Sequence, residues 1–261
     1  MLDQLNNLLK TSHSNPWKVE DFCGIDQLHL GGIPATLALI DGLPTDAKHG
    51  LDIGCGLGGT SRLLSKTRAC HMVGLDLNEQ YIKAADLLNK AIKPAPKCQF
   101  VVGNSLHLPF SKDSFNFVIS QHATMNIGQK EALLKGLYAV LKPQGYLLIH
   151  EVMLSPNTVE SGIESQVRYP TPWANEKSDS RLCDWQTFSD LAEKTGFKIQ
   201  QFEDNTASAL TWIRQARKQK PQTSFNPQLV LGALAGQMSG NVLSNIEQGL
   251  LQIVSARLYK Q

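Results

Sequence analysis

The sequence has no cysteine pattern. Its five cysteines, Cys23, Cys55, Cys70, Cys98 and Cys183, are odd in number and scattered. No pair has C-x-x-C spacing, which argues against a disulfide framework, and no cluster of His, Cys, Asp and Glu has metal-ligand spacing, so no metal is expected. An excess of either charge is also lacking: 25 Lys and Arg face 23 Asp and Glu, a net charge of +2. That balance leaves no basic footprint for nucleic acid or for an anionic membrane. The one basic cluster, Arg214, Arg217, Lys218 and Lys220, lies in and beside the helix-like "SALTWIRQARKQK" and reads as a solvated helix face. No apolar run reaches the length of a membrane span, and "LVLGALAG" from Leu229 is far too short. The N-terminal "MLDQLNNLLKTSHSNPW" lacks the basic and apolar regions of a leader, so a cytoplasmic protein is expected. There are no repeats and no low-complexity tracts. What remains is a globular chain of 261 residues, 42% hydrophobic, long enough to bury a core without staples.

Strand-like and helix-like segments alternate from Lys48 to Met153. "GLDIG", "MVGLDL", "CQFVVGN", "FNFVISQ" and "YLLIHEV" read as strands. "GTSRLLSKTR", "NEQYIKAADLLNKAI" and "KEALLKGLYAVL" read as helices, the second capped by Asn78 and the third ended by Lys142 to Gly145. Such alternation predicts βαβ units and a parallel sheet buried on both faces. Ligands of such sheets bind beyond the carboxyl ends of the strands. Upstream, "PATLALIDGL" reads as a helix with Pro34 at its start. From about Leu154 to Asp184 the chain turns polar and proline-rich, as in a long insertion or lid. "WQTFSDLAEKTG" is then a helix closed by Gly196, followed by the strand "FKIQQFED", one or two helices and a last strand, "IVSARLYK".

The densest signal is "LDIGCGLGGTS", Leu51 to Ser61. Gly54, Gly56 and Gly59 satisfy G-x-G-x-x-G, and Gly58 adds a fourth glycine. Glycines let a strand turn sharply and let a ligand approach the main chain at a helix N-terminus. Asp52 stands two residues before Gly54. Its carboxylate would repel a pyrophosphate and suit a ligand with an ammonium group. Asp76 ends the second strand, where a carboxylate can accept both hydroxyls of a ribose. The ligand these residues describe is a nucleoside with an amino-acid-like tail and no phosphates.

On these residues the sequence resembles the class I S-adenosylmethionine-dependent methyltransferases. "LDIGCGLGGTSRLLS" is similar to the family's first motif and "VGLDLNEQYIKAA" to its second. "VVGNSLHLPFSKDSFNFVISQHATMNI" and "VLKPQGYLLIHEVM" are similar to the segments around its third, fourth and fifth strands. "DQLHLGG" followed by "PATLAL", and the "YPTPWA" turn, resemble the type 11 small-molecule group that includes sarcosine/dimethylglycine methyltransferase-like proteins. The resemblance implies an α/β fold: a Rossmann-like, doubly wound, mostly parallel seven-stranded sheet with an antiparallel last strand. It implies one domain, with an N-terminal helical lid over 1–46, a cofactor core over 47–153, a substrate lid over 154–183, and C-terminal helices and strands over 184–261. It also implies S-adenosyl-L-methionine as cofactor, S-adenosyl-L-homocysteine as product and a small-molecule methyl acceptor as partner. Asp52, Gly54, Gly56 and Gly58 would meet the methionine part, Asp76 the ribose and Leu77 the adenine. Asn104, Ser105 and Leu106 would line the adenine pocket, although many relatives carry an acid where Asn104 stands. Gln121 would lie over the sulfonium, and Gln27 and His29 would close the cofactor from above.

Methyl transfer from a sulfonium is an in-line displacement that needs a base only if the acceptor must lose a proton. His122, His150 and Glu151, at the carboxyl ends of expected strands, are the catalytic candidates, since imidazole is neutral enough to act as a base near pH 7. Each also admits a structural use, as a hydrogen-bond partner of a neighbouring loop. His107 reads as structural, and His13 and His71 carry no signal. Tyr169, Trp173 and Trp185 either surround a cationic acceptor or pack the lid onto the core, and packing is the reading taken; Trp212 reads as core. An NAD(P)-dependent oxidoreductase on the same plan and a non-catalytic S-adenosylmethionine-binding module are the alternatives. The acceptor, the atom methylated and the oligomeric state are not legible.

Overall fold

The computed structural model describes residues 1–11, 16–218 and 224–261. His13 and Lys220 lie outside them. Five strands run parallel: β1 (His49–Ile53), β2 (His71–Asp76), β3 (Cys98–Val102), β4 (Phe115–Gln121) and β5 (Leu141–Leu154). β6 (Phe197–Asp204) and β7 (Leu251–Lys260) complete one seven-stranded sheet in the order β3-β2-β1-β4-β5-β7-β6. β7 is antiparallel to both its neighbours. Helices separate β6 from β7 along the chain, so the final antiparallel pair is not a tight hairpin.

The helices, in chain order, are α1 (Leu2–Thr11), α2 (Cys23–Asp26), α3 (Gly32–Ile40), α4 (Gly59–Arg68), α5 (Glu79–Ala91), α6 (Lys130–Val140), α7 (Pro156–Glu160), α8 (Trp185–Thr195), α9 (Thr206–Lys218), α10 (Gln228–Leu231) and α11 (Ala235–Glu247). Local chemistry sets several of their ends. Asn78 accepts from the N–H groups of Gln80 and Tyr81 at the start of α5. Gly196 closes α8 in the left-handed region, at φ 110°. α6 passes directly into β5: Lys142 to Gly145 are flanked by residues paired in register with β4, and the turn they make lies within the strand's span. The ammonium of Lys260, at the far end of the chain, donates to the carbonyls of Tyr138 and Leu141 there.

The apolar pattern of the strands fills two layers. Leu51, Ile53, Val118, Leu147 and Ile149 face α6 and α8, packing on Leu133, Leu137 and Phe188. Met72, Phe117, Ile119 and Leu148 face the other way, onto Leu39 and Ile40 of α3 and Leu64 of α4. Gly50 makes room in this second layer, because a Cβ there would lie 2.3 Å from the Phe117 ring. Arg214, Arg217 and Lys218 are exposed along α9, as a solvated helix face requires; Arg214 pairs with Glu247 at 2.6 Å and Arg217 donates to the Gly236 carbonyl. Tyr169, Trp173 and Trp212 pack against the cluster of Val152, Ile213, Ile246 and Ile253, and Trp185 stacks on Phe188 and Phe202. These contacts match the packing reading of the lid aromatics.

One buried ion pair holds the N-terminal segment to the sheet. Arg62 of α4, fully buried, donates to Asp26 of α2 at 2.7 Å, to the Leu57 carbonyl at 2.6 Å and to the Ala85 carbonyl at 3.1 Å. It thereby joins the lid, the glycine loop and α5. The contact is backbone-close, since a Cβ on Gly59 would lie 2.3 Å from the Asp26 carbonyl oxygen. Removing one partner of such a pair strands a buried charge. Asp26→Ala is expected to cost about 3–5 kcal/mol of unfolding free energy, and Asp26→Leu with Arg62→Met to regain most of it. Urea denaturation checks both; a loss under about 1 kcal/mol for Asp26→Ala would refute the anchoring role.

Candidate active site

The glycine loop is shaped before any ligand arrives. The Leu75 carbonyl, at the end of β2, accepts from Gly54 N at 2.8 Å and from Cys55 N at 3.1 Å. Gly54 has φ 67° and would, with a Cβ, press within 2.5 Å of Ala123 in the loop after β4. Gly56, half-buried, has φ 52° and open space where a Cβ would stand, so its main chain is the approach a ligand would use. Gly58 sits under the Phe100 ring at the mouth of α4.

Two carboxylates flank this loop. Asp52 is buried, and one oxygen accepts from Ser61 Oγ at 2.7 Å. Burial pushes its carboxyl up to about 7, against the pull of Ser61. Asp76 uses Oδ2 to accept from Gly56 N at 2.9 Å and Oδ1 to accept from Asn78 N at 2.9 Å. The ribose-position acid is thus fixed by the same loop it would share with a ligand. Leu77, next in the chain, is 73% exposed, a large apolar side chain left without cover. Ser105 and Leu106 are half-buried in the loop after β3, and Asn104 turns its amide oxygen onto Leu106 N at 2.9 Å.

The second half of the site lies where β4 ends against β5; β5 itself runs on to Leu154, so His150 and Glu151 stand within it rather than at its carboxyl end. Gln121 and His150 are opposite each other in register, and His122 N donates to the His150 carbonyl. His122 holds φ 52°, a sparsely populated region for a non-glycine residue that marks functional segments. Its ring stacks on His150 with centroids 5.2 Å apart, and His29 lies 6.1 and 5.9 Å from the two. His29 Nε2 lies 3.0 Å from the Gly32 carbonyl. A carbonyl only accepts, so that nitrogen carries the proton and Nδ1 is the basic one. Thr36 and Thr60 both donate to Gln121 Oε1, at 3.1 and 2.9 Å, which fixes the amide.

Three of the ten buried side-chain polar atoms without a partner among the described residues fall in this half of the site: Gln121 Nε2, His122 Nε2 and His150 Nδ1. Both amide atoms of Gln27, two residues before His29 in the chain, are also among the ten. An orphaned buried polar atom costs about 1–3 kcal/mol, so this concentration points to a polar ligand. The imidazoles are neutral. Burial pushes His29 down to about 4 and His150 to about 3, and His122 lies well below the ordinary range with His150 and His29 beside it.

Glu151 does not join them. Strand alternation puts it on the opposite face from His150, where Oε1 accepts from Ser120 Oγ at 2.8 Å and both oxygens lie 3.3 Å from Thr124 N. Fully buried and with its carboxyl pushed up by burial, it shapes the turn that carries His122 rather than facing a ligand. Ser61, Thr36, Thr60 and Ser120 were not singled out by sequence. The first and third sit inside the glycine stretch itself, which is the one signal that could have found them.

Residues 51–149 match the family profile described as "Methyltransferase domain". They are a methyltransferase domain. Over 217 residues the chain is 25% identical to phosphoethanolamine N-methyltransferase 1 of Triticum aestivum, an alignment covering 82% of this chain and 41% of that protein. The chain therefore spans about two fifths of that relative's length. The solved structure of Haemonchus contortus phosphoethanolamine N-methyltransferase 2 with S-adenosyl-L-methionine superposes with a TM-score of 0.73 at 20% identity, over 98% of this chain and 60% of that one. A candidate sarcosine dimethylglycine methyltransferase of Galdieria sulphuraria gives 0.64 at 17% identity, over 87% and 85%. These two likenesses are of fold. The matched stretch begins on the strand carrying Asp52 and ends at the residue before His150.

Glu151→Ala leaves the Ser120 hydroxyl and the Ala123 and Thr124 N–H groups without their acceptor. A loss of about 2–4 kcal/mol is expected by urea denaturation, while Glu151→Gln, which keeps an acceptor, should lose less than half as much. Equal losses for the two variants would refute the turn-shaping role.

Proposed function

We propose that the chain transfers a methyl group from S-adenosyl-L-methionine to a small-molecule acceptor at oxygen or nitrogen. The observation that carries this is the pair of carboxylates, Asp52 and Asp76, on either side of the open main chain at Gly56. Asp76 suits a ribose diol, and Leu77 with Asn104, Ser105 and Leu106 offers an adenine a partly apolar wall. Asp52, with Gly54, Gly56 and Gly58, suits an ammonium-bearing tail and would repel the phosphates of a nicotinamide dinucleotide. Gln27, Gln121 and His29 supply the hydrogen bonds that close the pocket from above. Bound there, the cofactor supplies an already activated methyl group. The chain itself then contributes positioning, with the acceptor held in line over the end of β4, against β5. His122 and His150, neutral and facing that space, are the groups able to take a proton from it.

Among the described residues no helix is long and apolar enough to cross a membrane. The five free thiols suit a reducing cytoplasm.

Calorimetry with S-adenosylmethionine and S-adenosylhomocysteine tests the reading, and absence of binding at high micromolar concentration would sink it. Asp76→Ala should weaken binding at least about tenfold, the worth of one charge-assisted hydrogen bond or more. Asp52 sets a pH dependence. An adjacent ammonium lowers its carboxyl from about 7, so binding releases a proton near neutrality and affinity rises from about pH 5.5 to 8. In Asp52→Asn the slope should vanish; a slope that persists there would assign it to another group.

A further inference from the structure

His150 faces two ways. On one side its ring lies against His122 and His29 in the candidate site. It also lines a second, small cavity of about 40 Å³, bounded by Ala38 of α3 and by polar residues of β6 and β7. The register builds that wall. His150 is opposite Ser255 on β7, and Ser255 is opposite Glu203 on β6. The three side chains form one row on one face of the sheet, and Glu203, at the outer end, is exposed. Asn205 Nδ2 donates to Ser255 Oγ at 2.7 Å, which leaves the serine proton free to be donated onward. Gln201 Nε2 donates to Glu203 Oε1 at 2.7 Å and holds the carboxylate at the rim.

Arg257 Nε, a buried polar atom without a partner among the described residues, belongs to a residue lining this cavity. A cavity of about 10–15 Å³ already holds one water, provided two or more polar groups receive it. This cavity is larger and offers Ser255, Glu203, Asn205 and Arg257 as well as His150. It has the room and the polar partners for a water, and His150 borders both it and the site.

We propose that His150 is a proton conduit, taking the proton that the methyl acceptor releases and passing it through water in this cavity to Glu203 and bulk solvent. The proposal rests on the methyl-transfer reading. The acceptor's N–H or O–H bond breaks and its electron pair forms the new bond to the methyl carbon. The carbon–sulfur pair leaves with sulfur. One nitrogen of His150 gains the proton, the other gives its own to the cavity water, and Glu203 hands it to solvent.

The titratable and charged groups around His150 are unequal on the two sides. His29 and His122 face it from the site, Glu203 and Arg257 from the cavity, and α3 adds only Ala35, Ala38 and Leu39. Burial, and then His29, hold the imidazole down to about 3. A proton taken from the acceptor cannot rest there, so a base in this position works only if the proton has an exit. Of these facing groups, the Glu203 carboxylate is the one that carries negative charge.

A crystal structure of the full chain, with or without S-adenosylhomocysteine, reads the water directly. An ordered water within hydrogen-bond distance of His150 and of Ser255 or Glu203 is expected; a dry cavity overturns the proposal whether or not any acceptor is turned over. With a turned-over acceptor, Glu203→Gln should lower kcat about five- to tenfold with KM unchanged. Glu203→Asp should keep the rate, and imidazole added to the Gln variant should restore it. Equal kcat for Glu203→Gln and the parent overturns the conduit while leaving methyl transfer intact. Failure of cofactor binding would instead strike the functional reading first, and the conduit with it, whatever the cavity holds.

Discussion

The Arg62–Asp26 pair is the contact on which the site depends. Everything N-terminal to β1 could dock on the sheet in many ways, because apolar surfaces such as those of Trp17, Phe22 and Ile25 attract without direction. A guanidinium with three acceptors on three different elements does have direction. It places α2 against the first turn of α4, so His29, which follows closely, comes to rest against His122 and His150 where β4 ends. The pair is a poor stabiliser in itself. Burial drives the Asp26 carboxyl up to about 6 despite the guanidinium at 2.7 Å, and both Asp26 Oδ1 and Arg62 Nε lack partners. Desolvation thus outweighs attraction, as it commonly does for buried ions. What the pair contributes is registry between the lid and the glycine loop.

That registry explains why the glycine loop and the histidines form one site. The loop is sewn to β2 through Leu75 and Asp76, and Gly54 lies against Ala123 in the loop after β4. Glu151, from the opposite face of the sheet, holds that same loop through Ser120 and Thr124. The left-handed backbone of His122 is therefore fixed from both faces, which is what a strained residue requires to persist. Thr36 on α3 and Thr60 on α4 meet at Gln121, so the lid, the loop and the sheet share one hydrogen-bonded node.

Much of this was legible in the sequence, and the part that was not has a physical reason. Glycines at fixed spacing, an acid at a strand's end and Asn78 as a cap are local signals, and each residue stands where local chemistry demands. Arg62 gave no such signal. Arginine is seldom fully buried, and "TSRLLS" reads equally well with its arginine in water. The acceptors it meets lie 36, 23 and 5 residues away. Glu151, like His150, is a candidate because it stands near the expected carboxyl end of a strand, but a strand sends neighbours to opposite faces. The row His150–Ser255–Glu203 is a product of β7 inserting between β5 and β6, and no pattern within any one strand announces it.

The electrostatics of the two halves are complementary. Carboxylates line the side that suits a cation, and neutral imidazoles line the side where a methyl group would leave. Neutrality matters there, because a charged imidazole would repel a sulfonium at close range in a medium of low dielectric. The same repulsion works in reverse. His122 and His150 are hardest to protonate while a positive charge lies beside them, and become easier to protonate once that charge is lost. Under the proposed reaction, proton uptake by the histidines would thereby be tied in time to methyl transfer rather than precede it. Weakness imposed by burial would then be an advantage in a base so placed. It would leave the cation undisturbed beforehand and take a proton only when the neighbouring charge has gone.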